Sequence, residues 1–413
     1  MSSTLFACGA NPRYRLLSLA VNTFASDLRT SSGNSRKTAR LSTMAAADQQ
    51  ERHTNSPAQP SALARRFLIL HEFPPPDLER AWRECLTRVE VPAHYDTPEF
   101  FLEPYWVGQN PFAVLAFTDS KMVGVLTGLR DGDEIVSGLP SRPQVCIDQR
   151  ADKVLTTDIL AEGLLSAAGS ANLITVYSWA STALPAFEHH GFRVRELEGA
   201  VVFDLSPGMQ PRFDHFAKNR RRDVRIAIRN GIEVSEETTA EDLQAYWEVY
   251  SAWRKTDRKQ IHHDRSFAAI EKVHNMPSNH RRFLARYQGK VIAAAGVRFF
   301  PGGLIEYANN CSLDEFMKLL PNDLLVWRMI EWACRHEFKR FSLGGSHPFL
   351  RKWGGTVVPI YRYRLDRTLF RRHNLKEGIA EMARNLVDRM PPPLQGRVRN
   401  VFRKQRAAMA RWI

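Results

Sequence analysis

Long apolar runs are missing. No stretch of ~18 apolar residues occurs in the 413 residues, so no segment reads as a membrane-spanning helix. Cysteine is scarce and scattered: Cys8, Cys85, Cys146, Cys311 and Cys334 form no CxxC pair and no Cys/His cluster with zinc spacing. That excludes a disulfide framework and a structural zinc site, and no metal is expected. An odd count without a secretory signal predicts reduced thiols and a cytoplasmic protein. Acidic residues are outnumbered, 44 against 58 Lys and Arg, giving a net charge of +14 and a pI near 9.8. Such a balance favours anionic partners: nucleotides, phosphates, nucleic acid or an acidic membrane surface. Acids almost vanish from residues 1–47, where Asp27 stands alone among many Arg and Ser. An organellar transit segment has that composition; so does an unstructured tail, or a start assigned ahead of Met44. Residues 1–64 as a whole have little to bury and are predicted to be a disordered extension.

What is present is globular and of α/β (α+β) class. The length suits two domains, and 44% apolar with 10% aromatic residues is ordinary composition. PFAVLAFTDSKMVGVLTGLR reads as a hairpin. TDILAEGLLSAAG reads as a helix with Thr157 or Asp158 at its cap, NLITVYSWA as a strand, and LPAFEHHGF as a helix ending at Gly191. FRVRELEGAVVFDLS reads as two more strands. The second half repeats this plan, with Lys121 and Lys290 in equivalent turns and GFRVRELEGAVVFDL matching WGGTVVPIYRYRL. Self-similarity on this scale predicts two copies of one fold: residues 65–206 and 207–370, each a mixed, mostly antiparallel sheet flanked by helices.

Two segments are strongly basic. FDHFAKNRRRDVRIAIRNGIEV has an apolar helical stripe, with Lys218, Arg220, Arg221, Arg222, Arg225 and Arg229 opposite it. Residues 371–413 form a basic helical tail broken by MPPPL. It could dock by its apolar side, or lie on an acidic membrane surface or on nucleic acid; stable DNA binding is not expected.

Four pieces, in order over about residues 210–365, carry a family resemblance: KNRRRDVRIAIRNGIEV, QGKVIAAAGVRFF, LLPNDLLVWRMIEWACRHEFKRFSLGGS and FLRKWGG. They resemble the tandem-GNAT superfamily that contains the Fem peptidoglycan aminoacyltransferases and the CelD-like (BioF-type) acetyltransferases. The resemblance implies two tandem GNAT-like domains and N-acyl transfer from acetyl-CoA or another acyl-CoA. The acceptor would be an amine of a small molecule or of an envelope or sugar precursor. The protein would be cytoplasmic, or peripheral to the inner membrane. An aminoacyl-tRNA donor held by the basic segments, and a non-catalytic anion-binding scaffold, are the alternatives. Neither copy carries the Gln/Arg-x-x-Gly-x-Gly/Ala loop of ordinary GNAT domains. Phe187 stands where many of them place a tyrosine acid, so the first copy reads as structural or as a substrate wall.

Acyl transfer from a thioester needs a neutral amine, a polarised carbonyl and a way to hold both. Glu306 interrupts an apolar strand and His347 follows a glycine turn; these are the candidate bases. EYANNC, around Ala308–Asn310, suggests a bulge whose backbone could polarise the carbonyl. The helix start at Asn322 could hold a pyrophosphate. Gly344, Gly345 and Ser346 follow a strand end, where ligands collect in α/β sheets. The family likeness implies that Lys352 contacts an anionic group, and Arg222 on the basic helix is a second substrate-binding candidate.

Overall fold

The computed structural model describes residues 65–391, apart from 105, 107, 108, 141, 207–212, 256–265 and 277. The disordered extension expected over 1–64 lies outside the described residues, as does the tail beyond 391. The first half runs β1 (Arg65–Leu70), α1 (Pro76–Leu86), β2 (Asn110–Thr118), β3 (Lys121–Asp131), β4 (Glu134–Ser137), β5 (Val145–Ile147), α2 (Lys153–Ala168), β6 (Leu173–Trp179), α3 (Ala186–His189) and β7 (Arg193–Asp204). After helix α4 (Lys218–Arg229), the second half runs β8 (Ile232–Glu236), α5 (Ala240–Arg254), α6 (Phe267–His274), β9 (His280–Tyr287), β10 (Lys290–Phe299), β11 (Leu304–Ser312), α7 (Pro321–Arg335), β12 (Arg340–Ser342), α8 (Pro348–Arg351) and β13 (Thr356–Asp366). Helix α9 (Arg372–Asp388) follows.

All of these strands join one 13-stranded sheet, ordered β1-β2-β3-β4-β6-β13-β7-β12-β11-β10-β9-β8, with β5 beside β3. The order is symmetric about the β13–β7 pair. Each half contains antiparallel strands and one parallel pair, β4 with β6 or β11 with β12. Helices α2 and α7 make the two parallel crossovers, as the geometry of parallel strands requires. The halves exchange their last strands. β13 completes the first half beside β6, and β7 lies beside β12 in the second. The two segments that match in sequence are therefore bonded to each other.

Two local expectations change. Residues 193–204 form one long strand rather than two. Gly199 lets β7 lie close against β13, because a Cβ there would sit 2.4 Å from the Val358 carbonyl oxygen. Helix α2 begins at Lys153, ahead of Thr157 and Asp158. Asp152 is the cap, accepting the Leu155 N–H at 3.0 Å, and nothing between it and Thr157 stops a helix.

Apolar faces position these layers. Helix α2 covers Val114, Leu126, Ile135 and Ile174 in the first half, while α1 covers the other face over Leu115 and Val125. Phe187 is fully buried there, its ring 5.0 Å from Phe192 and 5.5 Å from Tyr363, so the position serves packing. In the second half α7 covers Ile292, Val297, Ile305 and Tyr307. Helix α5 covers Leu284, Ala294 and Cys311 on the opposite face. Trp353 is buried edge-on against Phe216, centroids 5.0 Å apart.

The bend after Trp353 depends on Gly354. Its φ is +77°, and a Cβ would lie 2.3 Å from the His215 carbonyl oxygen. Gly354→Ala should therefore destabilise the fold by ~1–3 kcal/mol. The urea midpoint should fall at constant slope, and an unchanged midpoint would show that the bend relaxes freely.

Candidate functional site

Strands β11 and β12 are paired only over Leu304–Arg340, Ile305–Phe341 and Glu306–Ser342. β11 then runs on to Ser312 while β12 stops, so the strands part beyond Glu306. The β10–β11 register slips there, with Gly296 opposite Asn309 and Val297 opposite Tyr307, and Ala308 is left over as a bulge. The polar run EYANNC thus marks an irregular edge of a parting strand pair, with backbone groups released from the ladder. Since β11 and β12 are parallel, the start of α7 and the chain leaving β12 share that edge of the sheet.

The start of α7 has no side-chain cap. Leu320 occupies the cap position in a left-handed conformation, φ 65°, and Pro321 opens the first turn. Asn322 is not the cap; its amide nitrogen donates to Ser312 Oγ at 3.3 Å. The first half differs, because there Asp152 turns its carboxylate onto the start of α2. That carboxylate repels an anion at the start of α2, whereas no side chain caps the first turn of α7. Asp323 in the first turn of α7 is buried and ion-paired with Arg220 of α4. Burial pushes its carboxyl up to about 6, against the pull of the Arg220 charge. The side-chain oxygens of Asn309, Asn310 and Asn322, as their amides are oriented, are buried without a donor. Amide oxygens left open beside a parted strand pair and an uncapped helix start can accept hydrogen bonds from a ligand's N–H groups.

Glu306 lies on the face away from α7, since its neighbours Ile305 and Tyr307 pack into the α7 core. It belongs to a polar row that the registers set across four strands: His280, Arg298, Glu306 and Ser342. The segment His94–Glu103 of the first half covers this row. Glu103 holds Arg298 with bonds of 2.8 and 3.0 Å, both residues buried. His94 Nε2 is 3.7 Å from Glu103, and the Arg142 guanidinium sits 4.0 Å from the centre of the Tyr95 ring. Glu306 makes no side-chain hydrogen bond or ion pair to any described residue. Burial pushes its carboxyl up to about 7; Arg142 and Arg298 pull it down, and Asp96 adds to the rise. Burial likewise lowers His94, and lowers His280 further with the help of Arg298 and Arg282. A carboxyl that titrates near neutrality beside two guanidiniums can take a proton at physiological pH.

The other sequence candidates lie around this edge. Gly344 has φ +71° and donates its N–H to Ser342 Oγ at 3.2 Å, and the Gly345 carbonyl accepts from Val201 N at 2.8 Å. Ser346 Oγ is 3.5 Å from Glu198, which Arg351 also binds at 2.6 Å. His347 is exposed, and its carbonyl accepts from Leu350 and Arg351; no described contact joins it to Glu306. Lys352 is exposed, and its carbonyl accepts the Ala217 N–H at 3.0 Å just ahead of α4. Arg222 pairs with Asp223 at 2.9 Å. With Lys218, Asn219, Arg225, Ile228 and Arg229 it lines an open groove of about 830 Å³ along α4. His94, Glu103, Arg142, His280 and Arg298 were not foreseen. Arg298 alone had a local signal, a charge interrupting VIAAAGVRFF. Among the described residues no group of His, Cys, Asp and Glu is placed to hold a metal ion, and no helix is long and apolar enough to cross a membrane.

Residues 218–351 match the family described as the acetyltransferase (GNAT) domain. Among solved structures the chain is similar to FemX, with 14% identity over 71% of this chain and 96% of that one, at a TM-score of 0.52. It is similar to the C-terminal domain (DUF2156) of a putative lysylphosphatidylglycerol synthetase from Agrobacterium fabrum, with 13% identity over 71% and 92% at 0.52. It is also similar to L-PGS from Bacillus licheniformis, with 13% identity over 73% and 95% at 0.50. No characterised protein matches by sequence. The chain has the tandem GNAT, Fem-like fold.

Proposed function

We propose that this tandem GNAT fold is an N-acyltransferase that moves an acyl group from acyl-CoA, acetyl-CoA in the first instance, to a primary amine of a small-molecule or envelope precursor. One observation carries the reading. A buried carboxyl titrating near neutrality, Glu306, sits on the last paired rung before the parallel strands separate. Opposite it, across the sheet, α7 starts without a side-chain cap, which favours an anion there.

Each part has a task. The first turn of α7 and the Gly344–Ser346 bend bind the phosphates. The bulge at Ala308 orients the thioester carbonyl towards backbone N–H groups, which take up its developing charge. Glu306, as carboxylate, accepts a proton from the ammonium form of the acceptor, directly or through water. The neutral amine then bonds to the carbonyl carbon, the carbon–sulfur bond breaks with its electron pair on sulfur, and the surplus proton on nitrogen passes to the departing thiolate, which leaves as the thiol. Arg142 and Arg298 keep enough of the Glu306 population ionised for this at neutral pH. The first half supplies the far wall through His94, Tyr95 and Arg142. A second reading, an aminoacyl-tRNA donor, is favoured by the basic groove on α4.

Calorimetry of the whole chain with acetyl-CoA tests the donor. Micromolar binding, ~8 kcal/mol, is expected. Asn322→Asp, which adds a negative charge to the first turn of α7, should weaken it on the order of tenfold. No heat with acetyl-CoA, together with tRNA binding that falls steeply with salt, would transfer the site to the second reading.

A further inference from the structure

Helix α9 packs with its polar side inward. Leu375, Ile379, Met382 and Leu386 recur at i, i+4, i+7 and i+11, which places them in one apolar stripe. A helix laid on a sheet normally turns such a stripe to the core. Here Glu377, which projects from the opposite side of α9, is the residue held. Arg362 binds it through two bonds of 2.8 Å, Arg364 at 2.6 Å and Arg195 at 3.1 Å. These arginines come from β13 and β7, so the clamp fixes the rotation of the helix on the sheet. The stripe consequently faces outward. Exposure runs from 58% at Leu375 and Ile379 to 79% and 83% at Leu369 and Phe370, just before the helix. Arg371, Arg372, Lys376 and Arg389 are exposed alongside it. Beyond Asp388 the sequence holds Arg or Lys at seven positions and neither Asp nor Glu.

We propose that α9 is a surface anchor for an anionic lipid bilayer. The stripe enters the interfacial layer, and the cations meet the lipid phosphates while their aliphatic stems lie along the acyl boundary. The charge of the rim decides between lipid and a second copy of the chain. Two α9 faces brought together would set Arg372, Lys376 and Arg389 against the same cations, which opposes the contact. Anionic headgroups neutralise them instead, each basic residue adding to affinity within a Debye length. The inference stands independently of the proposed reaction, since it rests on residues outside the candidate site.

The test is co-sedimentation of the full chain with vesicles of phosphatidylcholine alone or mixed with phosphatidylglycerol. At least ~tenfold stronger partitioning onto the anionic vesicles is expected, weakening as NaCl rises. The Ile379→Asp/Met382→Asp double variant should lose most of that binding. Both positions are exposed, so its thermal unfolding should match the parent and show that the fold is intact. Arg372→Glu/Lys376→Glu should cost roughly tenfold or more on anionic vesicles. Equal binding to both vesicle types, no binding, or binding untouched by the aspartate substitutions overturns the proposal. A dimer in sedimentation velocity that Ile379→Asp/Met382→Asp dissolves, without vesicle binding, assigns the face to a second copy and also overturns it.

Discussion

Glu306→Gln should lower kcat by roughly 10²–10⁴-fold while leaving the affinity for the acyl donor nearly unchanged, because the proposed phosphate site lies on the other face of the sheet. In the parent, kcat/KM should rise with pH through about 7, since burial lifts the Glu306 carboxyl to that value and the base must be ionised. That limb should vanish in the Gln variant. Stability should move the opposite way. The folded carboxyl keeps a proton that the unfolded chain releases near its ordinary pKa of ~4.3. The stabilising contribution of that proton is complete below the unfolded value and is lost as pH rises through about 7. Above that, the folded protein carries an ionised carboxylate with no hydrogen bond from any described residue. Glu306→Gln should thus be at least as stable as the parent at pH 8, by thermal unfolding. Activity lost with stability kept marks a working group; activity and stability lost together would make Glu306 a structural residue and remove the proposed base.

Much of the architecture was legible because it is local. Turn residues at Lys121 and Lys290, the polar break in EYANNC and the proline before Asn322 each announce themselves within a few positions. The start of α7 at Pro321 and the bulge at Ala308 lie where those signals place them. The exchange of β7 and β13 was not legible. Both are strands with the same alternation, and nothing in either says which half's sheet it will join. Whether α9 docks by its polar or apolar side was equally hidden. The answer comes from Arg195, Arg362 and Arg364, far from Glu377 in two different strands, and periodicity alone favours the wrong side. The same holds for the first half's share of the site. His94, Glu103 and Arg142 read as ordinary loop residues, and acquire meaning only because the fold buries them over Arg298 and Glu306. Arg298 is the exception, a charge in an otherwise apolar strand, as Glu306 is.

Glu103→Ala should be among the most damaging single changes available. Glu103 and Arg298 are both buried, come from different halves of the chain, and meet through two hydrogen bonds. Removing the carboxylate leaves the Arg298 cation buried without its main counter-charge and close enough to Arg142 for their charges to oppose each other. Losing one partner of such a pair costs ~3–5 kcal/mol, readable as a large fall in the urea midpoint. Replacing both partners tests the cause. Glu103→Leu/Arg298→Met removes the orphaned charge along with the carboxylate, and buried pairs exchanged for apolar residues are commonly near neutral. The double variant should therefore regain most of the lost stability. Its activity should not follow, because Arg298 is one of two cations that hold the Glu306 carboxyl down. Without it, the rising limb of kcat/KM should move to higher pH. If the double variant proved as unstable as Glu103→Ala, the damage would lie in packing of the His94–Glu103 segment rather than in an unpaired charge. If its pH profile matched the parent, Arg298 would have no influence on the proton that Glu306 exchanges.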